Sequence, residues 1–426
     1  MNKQILAKSE KLLKRISQMN KFNSRYETFP YQEVRKVAGE LKVMSAGIED
    51  CTLPQTRDEL LLAELKRRLE GHAADLGQML SGNCYDFSTI VSMYAIPAED
   101  LRDLLPWLEG NKEKTSRAIE RLYKKTEVRD FEKPLPADIP AVLRQASEFA
   151  ALNIQKYHKN LGKLLQELTK SGEFLRDINA VPTTEARSYF DPITKTLAIG
   201  IPAICYVTED GSLHIREREM IRLNGHEGQG HALNQVITEA NGLPYFLRRS
   251  SSATIGTQES IAQFYEKRIF EDLKNSPETQ KKLGISHIFY EIYQDAKDAR
   301  QINEYQLKAY QYAITVLADK SLGPVQDKET VAKRIDLINR VALDPRWAYN
   351  FVESNRYNYD SQGNLGPNLT CELRYCANPI ERALKEFQKQ GIKYDGAGRS
   401  KIDSIFYKGF WTPIGFIDNA RIAAKE

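Results

Sequence analysis

The sequence predicts an α+β fold that is mostly α-helical, with a small β-sheet beside a metal-binding helix. Three observations carry this expectation. Apolar residues recur at three- and four-residue steps over most of the chain, the period of helices with one buried face. One β-rich stretch, residues 194–216, interrupts that pattern. Directly after it stands His226-Glu227-Gly228-Gln229-Gly230-His231, which places two of only six histidines beside a glutamate.

The elements follow in chain order. Residues 4–19 show helical periodicity. Leu62, Leu65, Leu69, Ala73, Leu76 and Leu80 line one face of a second helix, and Thr56 with Glu59 forms a capping box at its start. Residues 98–125 and 140–170 repeat the pattern. Between them Pro134, Pro136 and Pro140 mark 133–140 as a linker. A chain of 426 residues exceeds the usual size of one domain. The linker therefore divides an N-terminal helical region, 1–135, from a metal-site domain, 136–426, and the two are compatible with packing as one unit. Thr194 to Val207 reads as one strand or two, and Ser212 to Arg216 as another, separated by the turn Glu209-Asp210-Gly211. From residue 285 the chain is again mostly helical, broken by a turn-rich stretch near Tyr357 to Asn368.

Two neutral imidazoles make a ready zinc site, and an adjacent carboxylate can serve as general base on the metal's water. His226 and His231 are thus candidate ligands and Glu227 a candidate catalytic base. The histidines are five residues apart, not the four of H-E-x-x-H. On an ideal α-helix that step swings the second imidazole roughly 140° away from the first. The pair can share an ion only if the helix carries an extra residue as a π-bulge. Gly225, Gly228 and Gly230 make the segment deformable enough for that. These glycines match neither the dinucleotide fingerprint nor the P-loop. The bland alternative is a glycine-rich turn with two solvated histidines.

A hydrolytic zinc needs three protein ligands. Thr257 to Glu266 reads as a partly buried helix whose Glu259 and Glu266 lie two turns apart on one face. One can coordinate the ion while the other orients a ligand imidazole, and Glu259 is the preferred ligand. The sheet edge before the motif could pair with an extended substrate, or be a plain structural hairpin.

The combination of His226-Glu227-x-x-x-His231, Asn241-Gly242-x-Pro244 and Gln258-Glu259-x-x-Ala262 resembles the microtubule-associated tyrosine carboxypeptidase family and its bacterial homologues. The likeness extends to Leu76-Gly77-Gln78-Met79-Leu80, Asp86-Phe87-Ser88, Tyr94-Ala95-Ile96-Pro97 and Ala186-Arg187-Ser188, and loosely covers residues 1–270. It implies a gluzincin-like zinc metallopeptidase with one Zn2+ on His226, His231 and Glu259, and Glu227 as base. It also implies removal of a C-terminal residue, aromatic or tyrosine, from a peptide or protein tail, including an acidic one such as that of α-tubulin. The chain departs from the family pattern at Ser260-Ile261, where Gly-Leu is usual, and in a longer loop between His231 and Asn241. Lys408 to Ile414 is similar instead to a helical zinc-peptidase group with an E-G-W-A motif. A carboxypeptidase needs a cation for the terminal carboxylate, and Arg248, Arg249 and Arg300 are the candidates. The alternatives are a zinc oligopeptidase or endopeptidase, and a non-catalytic helical binding protein with a structural metal site closed by a fourth protein ligand, often cysteine, although no cysteine lies near the motif and Cys205 on the preceding strand is the closest.

Composition sets the remaining bounds. With 41% hydrophobic and 28% charged residues the chain is globular rather than disordered. Cys51, Cys84, Cys205, Cys371 and Cys376 are odd in number and scattered, so ordinary buried thiols are expected rather than a disulfide framework. The charged N-terminus has no hydrophobic signal core, and the longest apolar stretch, Leu197 to Val207, is too short for a bilayer. A cytoplasmic place is expected, with export by a signal-independent route left open. A net charge of +4 favours acidic partners but falls short of a nucleic-acid footprint. Arg121 to Lys125 reads as one solvated helix face.

Overall fold

The computed structural model describes residues 3–19, 31–81, 85–125, 179–183, 187–191, 194–200, 205–207, 213–282, 284–324, 327–355, 357–360 and 363–426. The expected linker at 133–140, the helix at 140–170, the 135/136 boundary and the turn at 209–211 lie outside the described residues. The fold is mostly helical with a small β component, as the periodicities predict.

Among the described residues six helices come first: α1 (Lys3–Met19), α2 (Tyr31–Ala46), α3 (Arg57–Ser81), α4 (Phe87–Tyr94), α5 (Ala98–Arg102) and α6 (Leu104–Lys125). The start of α3 carries the expected capping box: Glu59 N–H donates to Thr56 Oγ1 at 3.3 Å, and Thr56 N–H to Glu59 Oε2 at 3.2 Å. Helix α2 was not foreseen, although its buried Val34, Val37, Ala38 and Leu41 keep helical spacing.

Strands β1 (Asn179–Thr183), β2 (Tyr189–Asp191) and β3 (Thr196–Gly200) form a sheet in the order β1-β3-β2. β1 runs parallel to β3 and β2 antiparallel to it, with Phe190 opposite Leu197. β4 (Cys205–Val207) and β5 (Leu213–Ile215) make a separate antiparallel pair. Thr194 to Val207 thus holds two strands. β1 carries Pro182, which a sheet tolerates at its edge, and this residue obscured the strand in the sequence.

Then come α7 (Glu217–Leu223), a π-helix (Asn224–Leu233), α8 (Asn234–Ala240), a 3-10 turn (Tyr245–Arg248) and the long α9 (Ser252–Lys274). The segment from His231 to Asn241, expected as a lengthened loop, is helix up to Ala240, with Asn241 as its cap. The rest comprises α10 (Pro277–Lys282), α11 (Phe289–Ala318), α12 (Lys328–Asn339), α13 (Pro345–Asn355), α14 (Pro367–Leu373), α15 (Pro379–Lys389), α16 (Gly396–Phe406) and α17 (Pro413–Lys425). The expected turn-rich break falls between α13 and α14.

One apolar cluster joins Leu12, Leu41 and Leu65 of the first three helices to Ile261 and Tyr265 of α9 and to Phe387, Phe406 and Phe416 near the C-terminus. The N-terminal helices and the region that carries the histidine motif therefore share a core. Farther along α9, Ile269, Phe270 and Leu273 pack with Phe289 and Tyr293 of α11. Helix α9 is held from two sides, which makes it a rigid platform for the glutamates it carries. Among the described residues no helix is long and apolar enough to cross a membrane.

Candidate metal centre

The π-helix answers the five-residue spacing. An i→i+5 pattern widens the turn, so residues five apart return to one face. The imidazoles of His226 and His231 stand with ring centroids 5.1 Å apart and planes at 76°. The glycines serve close approach more than turning. A Cβ on Gly225 would lie 2.8 Å from Glu266 Cα, and one on Gly230 2.6 Å from Ala262 Cβ. Side chains at either position would push α9 away from the histidines.

That approach delivers Glu259. Its Oε2 lies 3.5 Å from His226 Nε2 and its Oε1 3.5 Å from His231 Nε2. The three residues present ligand atoms all within 4.8 Å of one another. Ligands about 2.0–2.1 Å from a tetrahedral zinc stand about 3.3–3.4 Å apart, and each imidazole stands at a similar 3.5 Å from its own oxygen of the one carboxylate. Nitrogen, nitrogen and carboxylate oxygen are also the donor set that zinc accepts. The side chains are 15%, 17% and 25% exposed, so the cluster is recessed without being sealed. It contains no cysteine.

The two glutamates of α9 take different places. Glu266 Oε2 lies 3.2 Å from His226 Nδ1, the nitrogen turned away from Glu259, and 3.5 Å from Arg222 Nη1. Arg222 in turn donates to Glu219 at 2.7 Å. A carboxylate on the far nitrogen fixes the tautomer that leaves Nε2 free to ligate. Glu227 stands apart from the three-residue cluster, its Oε1 4.0 Å from His226 Nε2. Its Oε2 accepts the backbone N–H of Phe190 at 2.9 Å. The sheet therefore holds the candidate base in place, and the Phe190 N–H is committed to it rather than open to a substrate.

Charge follows this geometry. Burial opposes a proton on His226, but hydrogen bonds to Glu259 and Glu266 and the nearby Glu227 prevail and raise its pKa to about 10. Burial lowers His231, against the pull of Glu259. Glu259 is also penalised by burial, yet His226 and His231 hold it below its ordinary range. These carboxylates hold a proton on His226, and metal uptake at a site of this kind releases protons.

A cavity of about 770 Å³ opens from His226, with Phe264, Arg300 and Tyr375 among its walls. Arg248 and Arg249 line a different cavity with Lys14 and Tyr245, so of the three candidate arginines only Arg300 shares a cavity with His226. Cys376 is buried as expected, but Cys371 is exposed. Arg121 pairs with Asp298 at 2.6 Å instead of only meeting solvent. The Phe190 amide and the Arg222–Glu266 contact had no recognisable sequence signal, because each depends on packing between distant segments. No protein-family model, curated protein or solved structure matches the chain.

Proposed function

We propose that this chain is a zinc peptidase that acts as a carboxypeptidase. The observation carrying the proposal is the convergence of His226 Nε2, His231 Nε2 and the Glu259 carboxylate within 4.8 Å of one another, three potential ligands among the described residues, the number a hydrolytic zinc takes from protein. His226, His231 and Glu259 would hold a zinc ion, which would supply Lewis acidity towards a scissile carbonyl and a water. Glu266 fixes the His226 ring through Nδ1. Glu227, anchored by the Phe190 amide, takes the water's proton and passes it to the departing amine nitrogen. Arg300, with no hydrogen-bond or ion-pair partner among the described residues, offers its fork to a terminal carboxylate in the cavity. The substrate on this reading is a peptide or protein tail with a free, aromatic C-terminal residue.

Elemental analysis of the purified protein tests the metal first: zinc at about one ion per chain supports the reading. A chain that holds no zinc and takes up none would end it. A peptide ending in free tyrosine is then compared with its C-terminal amide. Cleavage of the free form alone supports the carboxypeptidase, whereas equal cleavage of both leaves only a zinc peptidase.

A further inference from the structure

The short segment following α14 borders the metal centre on a side that the mechanism above does not use. On α9, Gly256 and Ser260 bracket Glu259. A Cβ on Gly256 would lie 2.7 Å from the Arg374 carbonyl oxygen, so Arg374 rests flush against the helix one turn before Glu259. On the other side Ser260 Oγ donates to Asn378 Oδ1 at 3.1 Å. Residues 374–378 are therefore held alongside the glutamate, and Tyr375 from this segment lines the cavity that His226 opens into.

The orientation of Tyr375 is set by its neighbour. Arg374 Nη2 donates to the Tyr375 hydroxyl oxygen at 2.5 Å, and the guanidinium carbon lies 4.6 Å from the ring centroid. A hydroxyl whose oxygen accepts from a cation becomes a better donor through its own hydrogen. No described residue accepts that hydrogen. Burial raises the Tyr375 pKa above its ordinary value, with Arg374 pulling the other way, so the phenol keeps its proton at neutral pH.

Resting on the peptidase reading above, we infer that Tyr375 is a further catalytic residue, its hydroxyl donating a hydrogen bond to the scissile carbonyl oxygen, and that Arg374 is the residue positioning it. As water adds to the carbonyl carbon, negative charge grows on that oxygen, and a fixed donor aimed at it stabilises the transition state more than the ground state. The proton count is unchanged by this contact. The water's proton travels through Glu227 to the amine nitrogen, the carbon–nitrogen bond breaks, and the phenol retains its hydrogen throughout.

The test uses the zinc-loaded full chain and a peptide ending in free tyrosine. Tyr375→Phe is expected to lower kcat on the order of a hundredfold, the loss seen when one such donor is removed. Zinc content and KM should stay as in the wild type. A phosphinic peptide, whose tetrahedral phosphorus oxygens mimic the developing oxyanion, should lose affinity by a similar factor, while a plain product peptide binds unchanged. Arg374→Ala should lower kcat, and Arg374→Lys should restore part of it, a rescue that a purely structural role would not predict. An active wild type with an equally active Tyr375→Phe variant, or unchanged phosphinic peptide affinity, would overturn the assignment. A zinc-loaded wild type inert towards every peptide would remove the peptidase reading itself.

Discussion

Helix α9 faces two polar clusters, one sealed in the core and one open to a cavity. Towards the C-terminal helices, Tyr265 and Tyr394 both donate hydroxyl hydrogens to Asp403 Oδ1, at 3.1 and 2.5 Å. Beside them Arg399 clamps Asp272 with two N–H donors, at 3.1 and 2.9 Å. Each of these contacts joins a donor to an acceptor. Towards the π-helix, two imidazoles and the Glu259 carboxylate bring three potential ligand atoms within 4.8 Å of one another, in a recess that solvent reaches. Both clusters contain a displaced pKa, with Asp403 at about 6 and His226 at about 10. A perturbed pKa therefore does not separate the two. The convergence of three potential ligand atoms in an accessible recess does.

The contrast breaks most sharply under loss of a ligand. His226→Ala or His231→Ala should abolish zinc uptake and reduce hydrolysis to background, while the Asp403 cluster remains folded. Metal content and near-ultraviolet circular dichroism check both halves. Glu227→Gln should leave zinc in place and lower kcat by roughly 10²–10⁴, the usual range for a positioned base. If that variant also lost zinc, Glu227 would belong among the ligands.

Asp403 sharpens the other side. Burial lifts its carboxyl above the ordinary 3.8 to about 6, against the tyrosine hydrogen bonds and Arg399. A group whose folded pKa is raised adds stability below its unfolded pKa and loses it as pH rises through the folded one. Its contribution should thus fall by about 2–3 kcal/mol between about pH 4 and pH 6. Asp403→Asn should flatten the difference curve over that window in urea unfolding. A wild type and variant with parallel profiles would show that the closed cluster leaves the carboxyl unshifted. The smallest effect is expected at Glu266→Gln, which keeps a hydrogen-bond acceptor for His226 Nδ1 but removes the charge. Zinc affinity should weaken about 10–100-fold, measured by competition with a chelator. A larger loss, equal to that of Glu259→Gln, would make Glu266 a ligand.

Much of the fold was legible because helices with one buried face write their period into the chain. The leucines of α3 and the Thr56–Glu59 cap are local signals, and the structure places both as expected. β1 and β2 were not legible. They are three to five residues long, one carries a proline, and their partner strand lies more than a dozen residues away for β1. Such pairing is decided by long-range contact rather than by local propensity. The spacing of the histidines was informative for the opposite reason. Five residues cannot serve one ion from an α-helix, so the motif itself demanded the π-helix that the structure contains.

The sequence by itself determined the inventory of the site: two histidines, an adjacent glutamate, and two further glutamates on one face of a nearby helix. It left open which of those two meets both imidazoles, since Glu259 and Glu266 differ only by two turns, about 10.5 Å along the axis. Only the tertiary structure decided that. Gly225 beds against Glu266 and Gly230 against Ala262, which sets the height at which the π-helix crosses α9. At that height Glu259 faces both Nε2 atoms and Glu266 is left to the Nδ1 of His226. The physical reason is contact between backbones: where no Cβ intervenes, two helices can settle close enough for short carboxylate arms to reach.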